Sequence, residues 1–264
     1  MTTIDSSEDF RMGRVVSRLF DALFANAITF LALAALLSLP SLLLSLYATA
    51  DLTNSMGVTP AGRFVPGRMG HFFLTTGLST LVYVVFGFLL QAAITQGTVA
   101  WLSGERADLG QSLSVAIKNL APLVVIAILA VLGIGLGFAL LLVPGIVLAL
   151  MWSVVAPVRV TEGTGITETF GRSRALTKGY RGRIFLLYLA YFIVAMIVSV
   201  MMGLLMAGTM LPKPANISTG YLIGSWLLRI ILSSITAAGA ASIYYELRLV
   251  KEGIGAQQMA AAFD

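Results

Sequence analysis

The sequence predicts an all-α polytopic membrane protein, with about six transmembrane helices in three helical hairpins, each preceded by an amphipathic interfacial helix. Three observations predict this fold class. Of the 264 residues, 58% are hydrophobic and only 11% are charged, and the mean hydropathy is +0.93. Long apolar runs alternate with short polar connections, and basic residues are concentrated in every second connection. Soluble domains carry about a quarter charged residues, so an ordinary soluble fold is excluded.

The chain begins with an acidic, Ser- and Thr-rich segment that leads into an amphipathic helix. The apolar residues of this helix recur at helical spacing, and they are Met12, Val15, Val16, Leu19, Phe20 and Leu23. The opposite face carries Arg11, Arg14, Arg18 and Asp21. The pattern predicts either a helix lying in the membrane interface before a bend near Asn26, or the cytosolic end of the first membrane helix. The first apolar run starts only near Phe24, so we expect a retained signal anchor.

Six apolar runs follow, and a helix needs about 20 residues to cross a bilayer. The runs cover residues 24–47, 72–98, 120–143, 146–160, 184–210 and 221–245. The fourth run has about 15 residues and reaches only about 22 Å, so it is either a partly spanning segment or a complete crossing. Pro144 and Gly145 predict a chain reversal just before it. Trp101 and Trp152 are expected at the membrane surface, near the ends of the second and fourth runs.

Lys and Arg are distributed unevenly among the connections. Thirteen lie in the N-terminal segment, the second and fourth connections and the C-terminal tail, whereas the opposite side carries Arg63, Arg68 and Lys213. The positive-inside rule therefore places both termini in the cytoplasm. It also favours a complete crossing by the fourth run, because otherwise the most basic connection would face outward. The chain has no Cys, so a disulfide framework and a thiolate metal site are excluded.

The polar segments after the even-numbered runs resemble one another. Glu162-Gly163 follows the fourth run, Glu252-Gly253 follows the sixth, and the looser segment 104–112 follows the second. Each leads into an amphipathic or small-residue helix, and glycine permits the sharp turn that this needs. The sequence therefore predicts a single integral membrane domain with internal repeats. The domain covers 1–264, with repeat-like units at approximately 10–98, 108–160 and 164–247 and a cytoplasmic tail at 248–264.

Three motifs occur in a fixed order along the second half of the chain. They are P-G-I-x(5)-W-x(4)-P, then E-G with a following S-x-x-L-T-x-G, then Y-Y-E-L-R-x-x-x-E-G. Their residues are Pro144, Gly145, Trp152, Pro157, Glu162, Gly163, Ser173, Gly179, Tyr244, Tyr245, Glu246, Arg248, Glu252 and Gly253. In this combination the chain resembles the membrane domain associated with bacterial glycerophosphoryl diester phosphodiesterases, over nearly its whole length and most clearly from Leu142 onward. The resemblance implies a multi-pass protein of the bacterial cytoplasmic (inner) membrane; in that family the domain is joined to a catalytic barrel or stands alone.

The sequence offers little for catalysis. Phosphodiester hydrolysis uses histidines for acid–base steps and clustered carboxylates for a divalent metal. The chain has one histidine, His71, which we expect at the membrane interface, and its twelve acidic residues are scattered. We therefore predict no enzyme activity, no cofactor and no metal site. Gly133, Gly135 and Gly137 follow no strand and form no phosphate loop; Gly133 and Gly137 share a helix face and predict close helix packing.

Two functions from different classes remain open. The first is a membrane scaffold or interaction module with phospholipid contacts, favoured by the interfacial helices and the basic inner face. The second is a transporter or channel for a lipid or small amphiphile, suggested by parallel repeats and by Arg229 inside the sixth run. The expected partners are membrane lipids, including anionic phospholipid, and a protein partner or a second copy of the chain. Nucleic acid is not expected.

Basic side chains are the candidate head-group sites, and they are Arg172, Arg174, Lys178, Arg181, Arg183 and Arg229. Within the bilayer, Arg229 either snorkels outward past Trp226, or pairs with helix-end carbonyls, or binds an anionic head group. Asp51 is the only acidic residue of the outward connections that competes for it.

The fourth connection predicts a helix over residues 165–178, ended by Gly179. Thr164 is its expected N-cap, and Glu168 stands four residues before Arg172. If this helix continues, Arg174, Lys178 and Arg181 share one face, and the basic face serves either orientation alone or binding of inner-leaflet lipid.

Overall fold

The computed structural model describes residues 9–50, 69–207 and 219–253. Helices account for nearly all of these residues. In chain order they are α1 Met12–Ala25, α2 Ala27–Ala50, α3 Met69–Leu102, α4 Leu109–Lys118, α5 Leu120–Leu140, α6 Leu142–Met151, α7 Val155–Glu162, α8 Ile166–Thr177, α9 Arg181–Ala207 and α10 Thr219–Glu252. Asp51, Arg63, Arg68 and Lys213 lie outside the described residues, so the predictions that concern them stay predictions.

Six helical segments within the described residues are long and apolar enough to cross a membrane. Five are single helices, and the fourth span, Leu142–Glu162, combines α6 and α7 across a bend. A short helix precedes each pair of spans: α1 before α2 and α3, α4 before α5 and the fourth span, and α8 before α9 and α10. The chain is therefore an all-α, multi-pass membrane protein, as its sequence predicts.

The first short helix is separated from the first span at Asn26. Asn26 leaves the helical conformation, with φ −124° and ψ 27°, and its side-chain amide donates to the carbonyl of Ala22 at 3.1 Å. Its side-chain oxygen accepts from the backbone N–H of Ala107 at 3.0 Å, next to the start of α4. The predicted bend is confirmed, and a buried amide holds this corner against the second short helix. The alternative, a continuous first membrane helix, is wrong.

The chain reverses at Leu141, and the predicted reversal at Pro144-Gly145 is wrong. Leu141 is extended, with φ −162° and ψ 154°, whereas Pro144 lies inside the first turn of α6, where its missing N–H costs no helix bond. Gly145 has an ordinary helical conformation and serves packing instead. A Cβ atom on Gly145 would lie 2.5 Å from the ring of Phe138 in α5.

Close packing of α5 against the fourth span is confirmed at two glycines. A Cβ atom on Gly133 would lie 2.5 Å from the indole of Trp152, and one on Gly137 would lie 3.0 Å from the Cα of Gly145. Trp152 is at the bend between α6 and α7 and lies edge-on to Phe170 of α8 at 4.9 Å. The indole of Trp152 fills the space that a side chain at position 133 would occupy.

The core of the bundle is the seam between α3 and α10, and α9 lies at its periphery. α10 packs against α3, α1 and α2, and small side chains bring the two long helices together. These buried residues are Ala92, Ala93, Ala237, Ala238, Ala240 and Ala241. α9 contacts α10 and α6, and most of its side chains from Phe185 to Leu205 are exposed. A cleft therefore remains between α9 and the α3–α10 seam.

Candidate functional site

A buried carboxylate joins the first short helix to the last span. The side chain of Glu246, near the end of α10, is completely inaccessible, yet it accepts from Arg14 Nε at 2.9 Å and Nη2 at 2.7 Å. Arg18 donates to its other oxygen and lies 4.6 Å above the ring of Tyr245. The backbone N–H of Arg11 completes the set at 3.1 Å. A buried charge is tolerated only when paired in this way, so Glu246 fixes α1 on the bundle.

A second carboxylate joins α7, α8 and α10. Glu162 accepts from Arg172 Nε and from Arg248 Nη1, each at 2.7 Å, and from the Tyr244 hydroxyl at 3.0 Å. Both guanidinium groups also pair with Glu252. Burial disfavours the charged form of Arg172, but hydrogen bonds to the two carboxylates outweigh it and raise the pKa of Arg172 above its usual value. We call the end of the bundle that holds Glu162, Glu246 and Glu252 the basic end.

The structure brings together residues of the second and third sequence motifs at the basic end. Glu162, Tyr244, Arg248 and Glu252 belong to this ion-paired group, and Ser173 donates to the carbonyl of Met151 at 2.7 Å. Sequence reasoning treated the two Glu-Gly pairs as turn signals only and did not predict the ion pairs. A usable signal was present, because carboxylates are few in a region dominated by Arg and Lys. The motif residues thus hold the repeat-like units to one another.

The third short helix has the predicted range and ends before Gly179 as expected, but its N-cap differs from the prediction. α8 begins after Gly165, whose backbone N–H donates to Glu168 Oε2 at 3.1 Å, so the prediction of Thr164 as N-cap is wrong. The Thr164 hydroxyl lies 2.8 Å from that of Thr169 instead. Glu168 therefore accepts from a free backbone N–H at the start of its own helix. Arg172 pairs instead with Glu162 and Glu252.

Gly179 prevents Arg174, Lys178 and Arg181 from sharing one helix face. α8 ends at Thr177, and Gly179 has φ +92°, a conformation that favours glycine. Arg181 then opens α9, so the condition for a shared basic face, a helix that continues to Arg181, is not met. Arg174 and Lys178 are exposed and form no ion pair within the described part of the chain.

Two of the remaining basic residues of this connection, Arg159 and Arg183, have internal partners, whereas the buried Nε of Arg181 has no hydrogen-bond partner within the described residues. Arg183 pairs with Asp9 at 3.0 Å and lowers the pKa of that carboxyl. Arg159 donates to the carbonyls of Gly163 and Thr164. Of the predicted head-group residues, Arg172 and Arg183 are therefore engaged by carboxylates, whereas Arg174 and Lys178 are open to solvent or lipid.

Arg229 lines a cavity of about 670 Å³ between α3, α9 and α10. Its guanidinium carbon lies 5.3 Å from the ring centroid of Tyr83 in α3, a cation–π distance. The cavity wall is part apolar and part polar. Besides Arg229, its polar lining residues are Tyr83, Gln91, Tyr191, Ser199, Ser225, Ser233 and Thr236.

Two of the interpretations of Arg229 can be compared with the structure. Trp226, past which Arg229 was expected to snorkel, donates its indole N–H to Ser38 Oγ in α2 at 2.9 Å. Within the described residues, Arg229 has neither a carboxylate nor a carbonyl partner, so the expected pairing with helix-end carbonyls is not found there. Arg229 lines this cavity, and the prediction of an anionic ligand stays open.

The described residues contain no group of three or more His, Asp or Glu side chains placed to hold a metal ion. His71 lies in α3, and the position of its side chain is outside the described part. The chain matches no protein-family model, no curated protein and no solved structure.

Proposed function

We propose that this chain is a non-catalytic membrane protein that binds anionic phospholipid, with the cavity at Arg229 as its head-group site. The observation that carries the proposal is a guanidinium that lines an intramembrane cavity without a carboxylate partner among the described residues. An arginine at the centre of a membrane helix costs about 2.5–3.5 kcal/mol on insertion scales. A bound phosphate would offset part of this cost through charge-assisted hydrogen bonds.

The basic end supports a second lipid contact in the same function. We place it in the cytoplasm, because thirteen of the seventeen Lys and Arg residues belong to that side. The internal ion pairs engage several of these cations, whereas Arg174 and Lys178 remain exposed. Each basic residue near an anionic leaflet contributes about 1 kcal/mol of attraction. These two would hold the basic end on the inner leaflet and support a role as a scaffold.

A transporter of a lipid or small amphiphile is the second candidate function. The observation that favours it is the depth of the polar lining, which continues along α10 from Ser225 through Arg229 and Ser233 to Thr236. Ser225 and Thr236 are eleven residues apart, which corresponds to about 16 Å of helix. A head group moving through the membrane needs such a path, whereas a fixed structural lipid does not.

Replacing Arg229 with leucine is expected to reduce bound anionic phospholipid at least about tenfold, because a hydrogen bond to a charged group contributes about 1.5–3 kcal/mol. Native mass spectrometry of the purified protein, titrated with a phosphatidylglycerol of defined chain length, measures this. Arg106→Leu is the matched control, since Arg106 is exposed and lies outside the cavity. Unchanged lipid binding by a folded Arg229→Leu variant would exclude the cavity as the head-group site.

The orientation has its own test in a chain that contains no native cysteine. A cysteine placed at Lys178 is expected to resist a membrane-impermeant maleimide in intact cells and to react after the cells are opened. A cysteine at Arg63, in an outward connection, is the control and is expected to react in both. Labelling at position 178 from outside would contradict the cytoplasmic basic end.

A further inference from the structure

We infer that the Arg229 cavity selects a lipid whose head group carries one negative charge and free hydroxyls, as phosphatidylglycerol does. The inference rests on the proposed function and specifies the class of its ligand. It excludes zwitterionic amine head groups as preferred ligands, and it also ranks a hydroxyl-bearing anionic head group above an anionic one without hydroxyls.

The charge of the cavity carries the first half of the inference. Among the described residues that line it, Arg229 is the single cation and no carboxylate is present. A phosphodiester monoanion therefore balances the site, whereas an ammonium group would bring a second positive charge without a counter-ion. The Tyr83 ring, a surface that could attract an ammonium group, already faces the guanidinium of Arg229.

The hydrogen-bonding groups around Arg229 carry the second half. Gln91 lines the cavity, and its side-chain amide has no hydrogen-bond partner within the described part of the chain. Such an amide offers both donors and an acceptor. The hydroxyl of Ser233 donates to the carbonyl of Ile230, which leaves its oxygen available as an acceptor. Free hydroxyls of a ligand can pair with Gln91 and donate to Ser233, whereas an alkyl group would leave the Gln91 amide unpaired.

The hydrogen-bonding groups lie further along the helices than Arg229, where the part of a head group beyond its phosphate would be. Ser233 follows Arg229 by one turn of α10, and Thr236 follows it by almost two. α3 and α10 are the second and sixth spans and run in the same direction, so Gln91, eight residues beyond Tyr83, lies near the level of Thr236 rather than that of Arg229. The Tyr191 hydroxyl donates to the Leu232 carbonyl at 3.1 Å and places α9 at the same depth. A phosphate at Arg229 thus leaves hydroxyl-binding groups beyond it.

The exposure of α9 favours a lipid over a soluble phosphate ester. This helix contributes Tyr191, Ser199 and Gly203 to the cavity, and most of its other side chains from 185 to 205 face outward. In a membrane these outward surfaces meet acyl chains. The cleft beside α9 therefore gives a lipid a lateral route by which its chains stay in the bilayer while its head group enters.

The test compares head groups of equal charge on the purified full chain. Native mass spectrometry is used with phosphatidylglycerol, phosphatidylethanol and phosphatidylethanolamine of identical acyl chains. Phosphatidylethanol keeps the monoanionic phosphodiester but has no hydroxyl. We expect phosphatidylglycerol to bind at least about fivefold better than phosphatidylethanol, and phosphatidylethanol better than phosphatidylethanolamine. Gln91→Leu and Ser233→Ala should each reduce the first ratio while preserving the second.

Each outcome has a defined meaning. Equal binding of phosphatidylglycerol and phosphatidylethanol overturns this inference, and the proposed function survives if Arg229→Leu still lowers the binding of both. Displacement of phosphatidylglycerol by an equimolar concentration of glycerol 3-phosphate would show a soluble ligand and overturn the lipid assignment. Thr80→Val controls for loss of a hydroxyl on α3, because Thr80 is exposed and lies outside the cavity lining. Should Gln91→Leu fail to fold, Ser233→Ala decides the role of the hydroxyl-binding groups.

Discussion

Replacing Glu246 with alanine is expected to lower the free energy of unfolding by about 3–5 kcal/mol, because removal of one partner from a buried ion pair leaves the other charge uncompensated. Glu246 has no accessible surface and accepts hydrogen bonds from both Arg14 and Arg18. Its loss would leave these two guanidinium groups without their shared acceptor at the contact between α1 and α10. Thermal unfolding in a mild detergent, followed by circular dichroism, measures the change.

Two further variants make this prediction specific. Asp21→Ala removes an exposed carboxylate from the same short helix, and it should shift stability by less than about 0.5 kcal/mol. Combining Glu246→Leu with Arg14→Met and Arg18→Leu should recover much of the loss, because apolar groups of similar size often replace a buried ion group at little cost. If Glu246→Ala and Asp21→Ala were equally stable, the buried ion pair would not be what holds α1.

Replacing Glu162 with alanine is the second large effect that we expect, with a loss of about 3 kcal/mol, near the lower limit for a buried pair. Glu162 is slightly accessible, at 13%, and Glu252 retains contact with both Arg172 and Arg248. Glu252 therefore limits the loss of stability. The Tyr244 hydroxyl loses its acceptor as well.

Glu168 provides the comparison for Glu162. It stands in the same polar connection but caps α8 only, through the backbone N–H of Gly165, so Glu168→Ala should cost about 1 kcal/mol. Limited proteolysis of the two variants adds a spatial readout. Cleavage in Glu162→Ala should increase at the connections on both sides of α8, because α8 loses its ion pair with α7 and keeps only the Arg172–Glu252 pair with α10. A larger effect of Glu168→Ala would contradict the assignment.

Much of the fold was predictable because the bilayer imposes a simple requirement on each span. A membrane-spanning helix must pair its backbone N–H and C=O groups within itself and present apolar side chains over about 20 residues. Both properties depend only on residues near one another in the sequence. The spans and the bend at Asn26 follow from such local patterns, and so does the packing at Gly133 and Gly137. The fourth span was underestimated because it was predicted to begin after Pro144-Gly145 and to end at residue 160, whereas it runs from Leu142 to Glu162.

The candidate site was predictable only in part. Arg229 was identified from the sequence because a charge inside an apolar run is conspicuous. The cavity around it was not, since Gln91, Ser199 and Thr236 are ordinary polar residues on three separate helices, and only the packing of α9 beside α3 and α10 places them in one cavity.

The sequence by itself determined the fold class, the alternation of short helices with pairs of spans, and the concentration of basic residues on one side. The tertiary structure decided which charges are available. Glu246 is 228 residues from Arg18, and Glu162 is 86 residues from Arg248, yet each pair forms a hydrogen bond. Periodicity and hydropathy describe neighbours along one helix, whereas ion pairing depends on how helices from distant parts of the chain are packed. For that reason Arg172 and Arg183 became internal partners, and Arg229 was left facing a cavity.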